Sequence, residues 1–256
     1  MVSLWAWASI LLFALLLGCL EVGDRIGKRR IAAHQDEGGK SPNLLAGIVY
    51  GLLSLLLSFS FSIAMQRFDA RRHLVVDEAN AVGGAYSRAH LLPTSEQPAV
   101  KQEIASYADA RIAYTDALNS GGDTAPSVLA TNVAQRKLWT LVLSAYQRDS
   151  HESTRIQLTP ALDTMFDLAA SRDESVGTRI PAMIYLLLGG VCAASALLAG
   201  RNLAARPTRE WGHRILFSAV LASVMFVIAD LDDPRQGYIR VDHSDHILRD
   251  VRASMT

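Results

Sequence analysis

Three groups of polar residues in this sequence are spaced so that chemistry could be built on them. Asp77, Glu78 and Asn80 form one short acidic block, Asp230, Asp232 and Asp233 form another, and Ser54, Ser58 and Ser62 recur at every fourth position. A hard cation wants roughly six to eight converging oxygens, and the first block, read as one helix, supplies too few. Ion pairing along that helix is the simpler reading. His73 and Asp77 are four apart, and Arg71 and Glu78 are two turns apart on the same face. The second block follows an apolar segment directly, where negative charge at a helix C-terminus is unfavourable, so compensation by Arg235 or Arg240 is expected. Hydroxyls at a spacing of four share one helix face. They can bond back to the preceding turn or let helices pack closely. Alternatively, with Phe61 and Met65 beside them, they make a weakly polar face turned to a water-filled axis.

No catalytic constellation accompanies these groups. The sequence has no Gly-x-Ser-x-Gly, no phosphate loop, no His-Glu-x-x-His and no cysteine pair. His73, His90, His151, His243 and His246 are scattered, so the reading calls for no enzyme, no cofactor and no resident metal.

The elements that hold these residues are set by hydropathy. Of 256 residues half are hydrophobic, and they are concentrated in blocks. The 25 basic and 25 acidic side chains cancel, which removes any global argument for a nucleic-acid partner. Leu4 to Leu20 carries no charge and begins with Trp5 and Trp7, aromatic rings suited to a membrane interface. No basic residue precedes Arg25, so a transmembrane helix fits better than a cleaved signal peptide. Ser41-Pro42-Asn43 starts a second span that reaches Met65. The third runs from Ile180 to Gly200, with Gly189-Gly190 suited to close helix packing, and the fourth from Trp211 to about Ala229. Cys19 and Cys192 lie inside these apolar segments and read as small buried hydrophobes.

Between the second and third spans the period is helical. Val75, Ala79, Val82, Tyr86 and Ala89 form one stripe, and Val100, Ile104, Tyr107, Arg111 and Tyr114 belong to another. After the loop at 119–126 a third helix passes through Leu138 and Val142, and Thr159-Pro160 reads as the cap and first residue of a fourth. The fold expected is therefore all-α: a four-span membrane protein with an extramembrane helical domain between spans 2 and 3. Residues 1–65 hold the first two spans and their basic connection, 66–179 the helical domain, 180–229 the last two spans, and 230–256 a polar tail. The two short loops carry nine Lys and Arg residues, among them Lys40, Arg206 and Arg209, which by charge counting places those loops in the cytoplasm.

Two stretches resemble the bacterial bestrophin-like membrane proteins. One is Arg67 to Pro93, Arg-Phe-Asp-Ala-Arg-Arg-His-Leu-Val-Val-Asp-Glu-Ala-Asn-Ala-Val-Gly-Gly-Ala-Tyr-Ser-Arg-Ala-His-Leu-Leu-Pro, and the other is Ala229 to Val241. Tyr107-x-Asp109-x-Arg111 matches a third pattern, whereas Gly84 and Asp233 stand where the family more often has Thr and Arg. The resemblance marks Arg67, Arg71, Arg72, Asp77, Glu78, Asn80 and Gly83 as a family-motif junction. It implies a distant similarity to bestrophins: pentameric channels with four spans per subunit, the second lining the pore, and the interspan helices in the cytoplasm. That orientation is opposite to the one from charge counting. It also makes Asp230, Asp232 and Asp233 weak candidates for a regulatory cation site, since bestrophins of higher organisms bind calcium in a similar place. The expectation is a homo-oligomeric ion channel of the inner membrane, in contact with the lipid bilayer, with Ser54, Ser58, Phe61, Ser62 and Met65 facing the axis and the ion unnamed. A membrane sensor or scaffold that conducts nothing is the alternative.

Overall fold

The structure is a computed structural model that describes residues 4–33, 41–148, 152–204, 211–233 and 242–255. Lys40, His151, Arg206, Arg209, Arg235 and Arg240 lie outside the described residues, as do the side chains of Trp5 and His243. Among the described residues the regular structure is entirely helical. In chain order the helices are α1 (Leu4–Ala32), α2 (Ser41–Arg88), α3 (Gln97–Ser120), α4 (Ala125–Arg148), α5 (Glu152–Gly177), α6 (Ala182–Leu203), α7 (Trp211–Asp232) and α8 (Asp242–Ala253). The chain divides into two compact units, Met1–Arg67 with Arg179–Ile239, and Phe68–Thr178 with Arg240–Thr256.

The first unit contains four helices long and apolar enough to cross a membrane, α1, α2, α6 and α7. Helix α1 does not stop where its apolar run stops. Glu21 and Asp24 each accept an ion pair from the residue four further on, Arg25 and Lys28, which suits continued helix through the polar residues to Ala32. Inside this unit Leu16, Leu20, Leu53, Leu188, Cys192, Ala196, Leu221 and Met225 make the core. Lipid offers no hydrophobic drive for helix association, so close backbone approach matters more. A Cβ on Gly200 would stand 2.0 Å from the Leu20 carbonyl oxygen, and one on Gly23 would stand 2.1 Å from that of Leu197. These two glycines set the α1–α6 crossing. Gly189 and Gly190, the pair expected to suit close packing, would meet no other atom within 4 Å, and they lie about three turns before Gly200 along α6.

The second unit is built from the later turns of α2 with α3, α4, α5 and α8. Its core holds Ala79, Val82, Ile104, Tyr107, Leu138, Val142, Leu158, Leu162 and Met165, so the stripes expected on α2, α3 and α4 do face inward. Helix α3 ends at Gly121, whose φ of 69° is the left-handed conformation that glycine adopts without a Cβ penalty. Helix α5 departs from the expected boundary. It starts at Glu152, so Pro160 lies inside it rather than at its first position. Buried Leu158 and Thr154 hold the earlier turns, with the Thr154 hydroxyl donating to the Leu91 carbonyl at 3.0 Å. Arg155 donates to the Tyr146 carbonyl at 2.8 Å. These contacts offset the roughly 3 kcal/mol that an interior proline costs.

Residues read as a polar tail form α8 in this unit. Leu248 and Met255 are buried, and a Cβ on Gly83 would touch Val251 Cγ1 at 3.3 Å, so this glycine does serve close helix contact. Arg252 pairs with Asp109 at 2.8 Å, and Arg249 pairs with Asp116. Both pairs are exposed, and such pairs contribute about 0–1 kcal/mol, whereas a buried leucine contributes several times that.

Two outcomes follow from this packing. Leu248→Ala should destabilise the second unit by about 2–5 kcal/mol and expose α8 to protease, while Arg252→Ala should cost less than about 1 kcal/mol. Gly200→Ala should cost about 1–3 kcal/mol by overpacking, with Gly190→Ala within roughly 0.5 kcal/mol of neutral. Thermal melting and limited proteolysis of the detergent-purified protein measure both.

Candidate functional site

Helix α2 presents three different sectors where it belongs to the first unit. Ala46, Leu53, Ser60 and Ala64 are buried. Leu52, Leu55, Phe59 and Ile63 form an exposed apolar sector. The remaining sector carries Ser54, Ser58, Phe61, Ser62 and Met65, all exposed in the isolated chain. At about 100° per residue these five positions gather within less than a third of the circumference, away from the buried side. Two of the hydroxyls have local partners. Ser54 donates to the Tyr50 carbonyl at 2.9 Å, the back-bonding expected of serine in a helix, and Ser62 Oγ accepts from Gln66 Nε2 at 3.2 Å.

The family-motif residues separate into buried and exposed sets. Glu78 is fully buried, and its two oxygens accept from different guanidiniums: Oε1 from Arg111 Nε, and Oε2 from Arg172 Nη1 at 2.6 Å. The other edge of Arg111 forks onto Asp173, at 2.9 Å and 3.1 Å. Arg172 also donates to Thr115 Oγ1 at 3.0 Å, whose hydroxyl donates to the Arg111 carbonyl. Arg111 in addition lies 4.6 Å from the ring of Tyr114. Burial works against the Arg111 charge, but the carboxylates of Glu78 and Asp173 outweigh it and hold the guanidinium above its ordinary pKa. Burial pushes the neighbouring Tyr107 phenol up, so it too keeps its proton. The result is an ionic network in which one buried carboxylate joins two guanidiniums from different helices.

Glu78 therefore does not pair with Arg71, as helical spacing suggested. Arg71 donates instead to the carbonyls of Ser175 and Thr178, at 3.3 Å and 2.6 Å, closing the C-terminal end of α5. Arg72, His73, Asp77 and Asn80 are exposed. The pairing partners were hidden from the sequence because Arg111 and Arg172 lie 33 and 94 residues further along. One clue was present: Tyr107-x-Asp109-x-Arg111 places three side chains that the fold uses separately, in the core, against α8 and on Glu78.

The acidic block at the end of α7 is also buried, Asp230, Asp232 and Asp233 being 1–3% exposed. Asp232 Oδ2 accepts from the Ile180 amide at 2.8 Å and from the Tyr185 hydroxyl at 3.2 Å. It therefore satisfies a backbone donor just before α6, as a capping residue would. Arg67 stands 3.7 Å from Asp232, and Arg179 stands 3.4 Å from Asp233. Among the described residues these two arginines supply such compensation, while the expected partners Arg235 and Arg240 lie outside them. Among the described residues no three His, Cys, Asp or Glu side chains are arranged to hold a metal ion.

Comparison with known proteins gives a consistent picture. The sequence matches the family described as the Bestrophin-like domain over residues 10–245. Against curated proteins it gives no match. Among solved structures, a bacterial bestrophin homolog from Klebsiella pneumoniae superposes with a TM-score of 0.69 at 13% identity, covering 95% of this chain and 98% of that one. A point variant of that homolog gives 0.68 at 13% identity, covering 93% and 98%. At such identity the likeness speaks for the fold alone.

The network makes its own prediction. Glu78→Gln leaves Arg172 without its buried carboxylate and should cost about 3–5 kcal/mol, whereas Asp173→Asn, at a partly exposed position, should cost distinctly less. Chemical or thermal unfolding of the full chain in detergent, followed by circular dichroism, ranks the two.

Proposed function

The chain belongs to the Bestrophin-like family, and from that premise we propose that it forms a homo-oligomeric ion channel in the bacterial inner membrane with α2 lining the axis. The observation that carries the reading is the division of the exposed surface of α2. One sector is large and apolar, through Leu52, Leu55, Phe59 and Ile63, and suits lipid or a neighbouring subunit. The next sector bears Ser54, Ser58 and Ser62 at one-turn spacing and would waste its hydroxyls against hydrocarbon. Around a closed rotational axis the serine sector turns to the lumen as rings of hydroxyls, with Phe61 as an apolar constriction between the last two and Met65 as another about one turn beyond them. Such a lining passes ions without naming one. The likeness to a bacterial bestrophin homolog supports the subunit fold that this arrangement needs.

In this reading Glu78, Arg111 and Arg172 are supports, and Asp232 and Asp233 fasten the ends of α6 and α7. None of them touches the ion. Purified oligomer in liposomes should release trapped salt, and Ser58→Trp should reduce the flux several-fold at equal incorporation. A well-formed oligomer that conducts no ion leaves the scaffold reading in place of this one, and an unchanged flux in Ser58→Trp removes that face from the lumen.

A further inference from the structure

The four spans of the first unit leave a cleft of about 540 Å³, lined by residues of α1, α2, α6 and α7. Leu20, Leu216, Phe217, Val220 and Leu221 make its wall apolar, while Asn202 and His213 contribute polar atoms. The polar pair has a definite place. Asn202 sits in the last turn of α6 and His213 in the first turn of α7, so both are at the short-loop end of these spans. The wall continues along α7 to Leu221, eight residues beyond His213. That is about 12 Å of helix, against a hydrocarbon leaflet of roughly 15 Å. Leu216 and Val220 remain 63% and 52% exposed, so the cleft opens sideways toward the surroundings of the spans. Water fills an apolar wall of this size poorly, and apolar cavities take apolar guests.

Charge at the same end selects among guests. Arg25, Lys28 and Arg214 are already matched by Glu21 and Asp24. Arg29, Arg30 and Arg201 have no ion-pair partner among the described residues. Arg201 precedes Asn202 in the last turn of α6 without lining the cleft itself, and the α1 backbone at Gly27 packs directly on Arg201 and Ala204, which brings the basic end of α1 to the same level. A guest with a long apolar tail and an anionic head fits both halves of this arrangement.

We propose that the cleft is a binding site for one acyl chain of an anionic phospholipid, with the lipid phosphate held at the Asn202–His213 rim beside Arg201. Nothing in this depends on conduction, and the test needs no flux measurement. The full chain is purified, delipidated in detergent and melted with increasing phosphatidylglycerol or phosphatidylcholine. Phosphatidylglycerol should raise the melting temperature by several degrees more than phosphatidylcholine at equal mole ratio. Val220→Trp, which fills the cleft, should abolish both increments while melting like the parent without lipid, and Leu216→Trp serves if that variant does not fold. Arg201→Gln should remove the difference between the two lipids and keep the shared increment. Equal increments for the two lipids in the parent, or a phosphatidylglycerol increment that survives in the filled variant, would overturn the site. So would efficient intersubunit cross-linking of Leu216→Cys in lipid-saturated protein, since a second copy would then occupy the cleft.

Discussion

A carboxylate with no access to water has to be answered in full, and Glu78 is such a group. Leaving it unpaired would cost several kcal/mol, so its two oxygens dictate where the partner helices stand. Arg111 brings α3 to one oxygen and Arg172 brings α5 to the other. Thr115 and Asp173 then accept from further N–H groups of those guanidiniums. Apolar packing alone would tolerate small slides among α2, α3 and α5, since leucine and alanine surfaces repack at modest cost. An ion pair with two-sided geometry tolerates much less. Desolvation offsets much of what the charges gain, so removing one partner costs more than the pair contributes.

The same helix carries the two features on which the functional reading turns. Helix α2 runs from Ser41 to Arg88 without an interior proline beyond its first turn, and it holds both the serine sector and Glu78. Its later turns are held by the buried charge of Glu78, and its earlier turns carry the serines. The glycines support this economy elsewhere. Gly23 and Gly200 let α1 and α6 meet at backbone distance, and Gly83 lets α8 lie against α2. Each is a place where the size of hydrogen, rather than a free φ, is what the chain needed.

Most of the architecture could be read from hydropathy, because four apolar blocks and a 3–4 period are local signals. The inward stripes of Val75, Ala79 and Val82, and of Ile104 and Tyr107, needed no knowledge of distant residues. What escaped was non-local or was carried by an unusual local choice. The start of α5 was misplaced because Thr159-Pro160 has every mark of a helix N-terminus, and only the burial of Leu158 and the contacts of Thr154 and Arg155 override it. The pairing of Glu78 was misassigned because helical spacing offers Arg71, whereas the fold sends Arg71 to the carbonyls at the end of α5. The amphipathic pattern of α8 is short and interrupted by charges, so its role as a packed helix depends on partners on α2 and α3. For the serine sector, spacing foretold that the residues share a face, and the burial of Leu53 and Ala64 on the other side could come only from the structure.

Arginine recurs beside most of the buried carboxylates. Arg111 and Arg172 answer Glu78, Arg214 answers Glu21 and Asp24, and Arg67 and Arg179 approach Asp232 and Asp233. A guanidinium suits these places because it stays charged, spreads that charge over a plane and donates in fixed directions, so one side chain can bind two partners from different helices. Lysine would offer a point charge that neutralises more readily when dry. Groups that must gain and lose protons or release a ligand are seldom locked in this way. Glu78, Asp232 and Asp233 thus act as fasteners, between helices and at helix ends, while Asp77 and Asn80 stay exposed. The serine sector of α2 is different in kind, exposed in the isolated chain, with Ser54 and Ser62 bonded within their own helix.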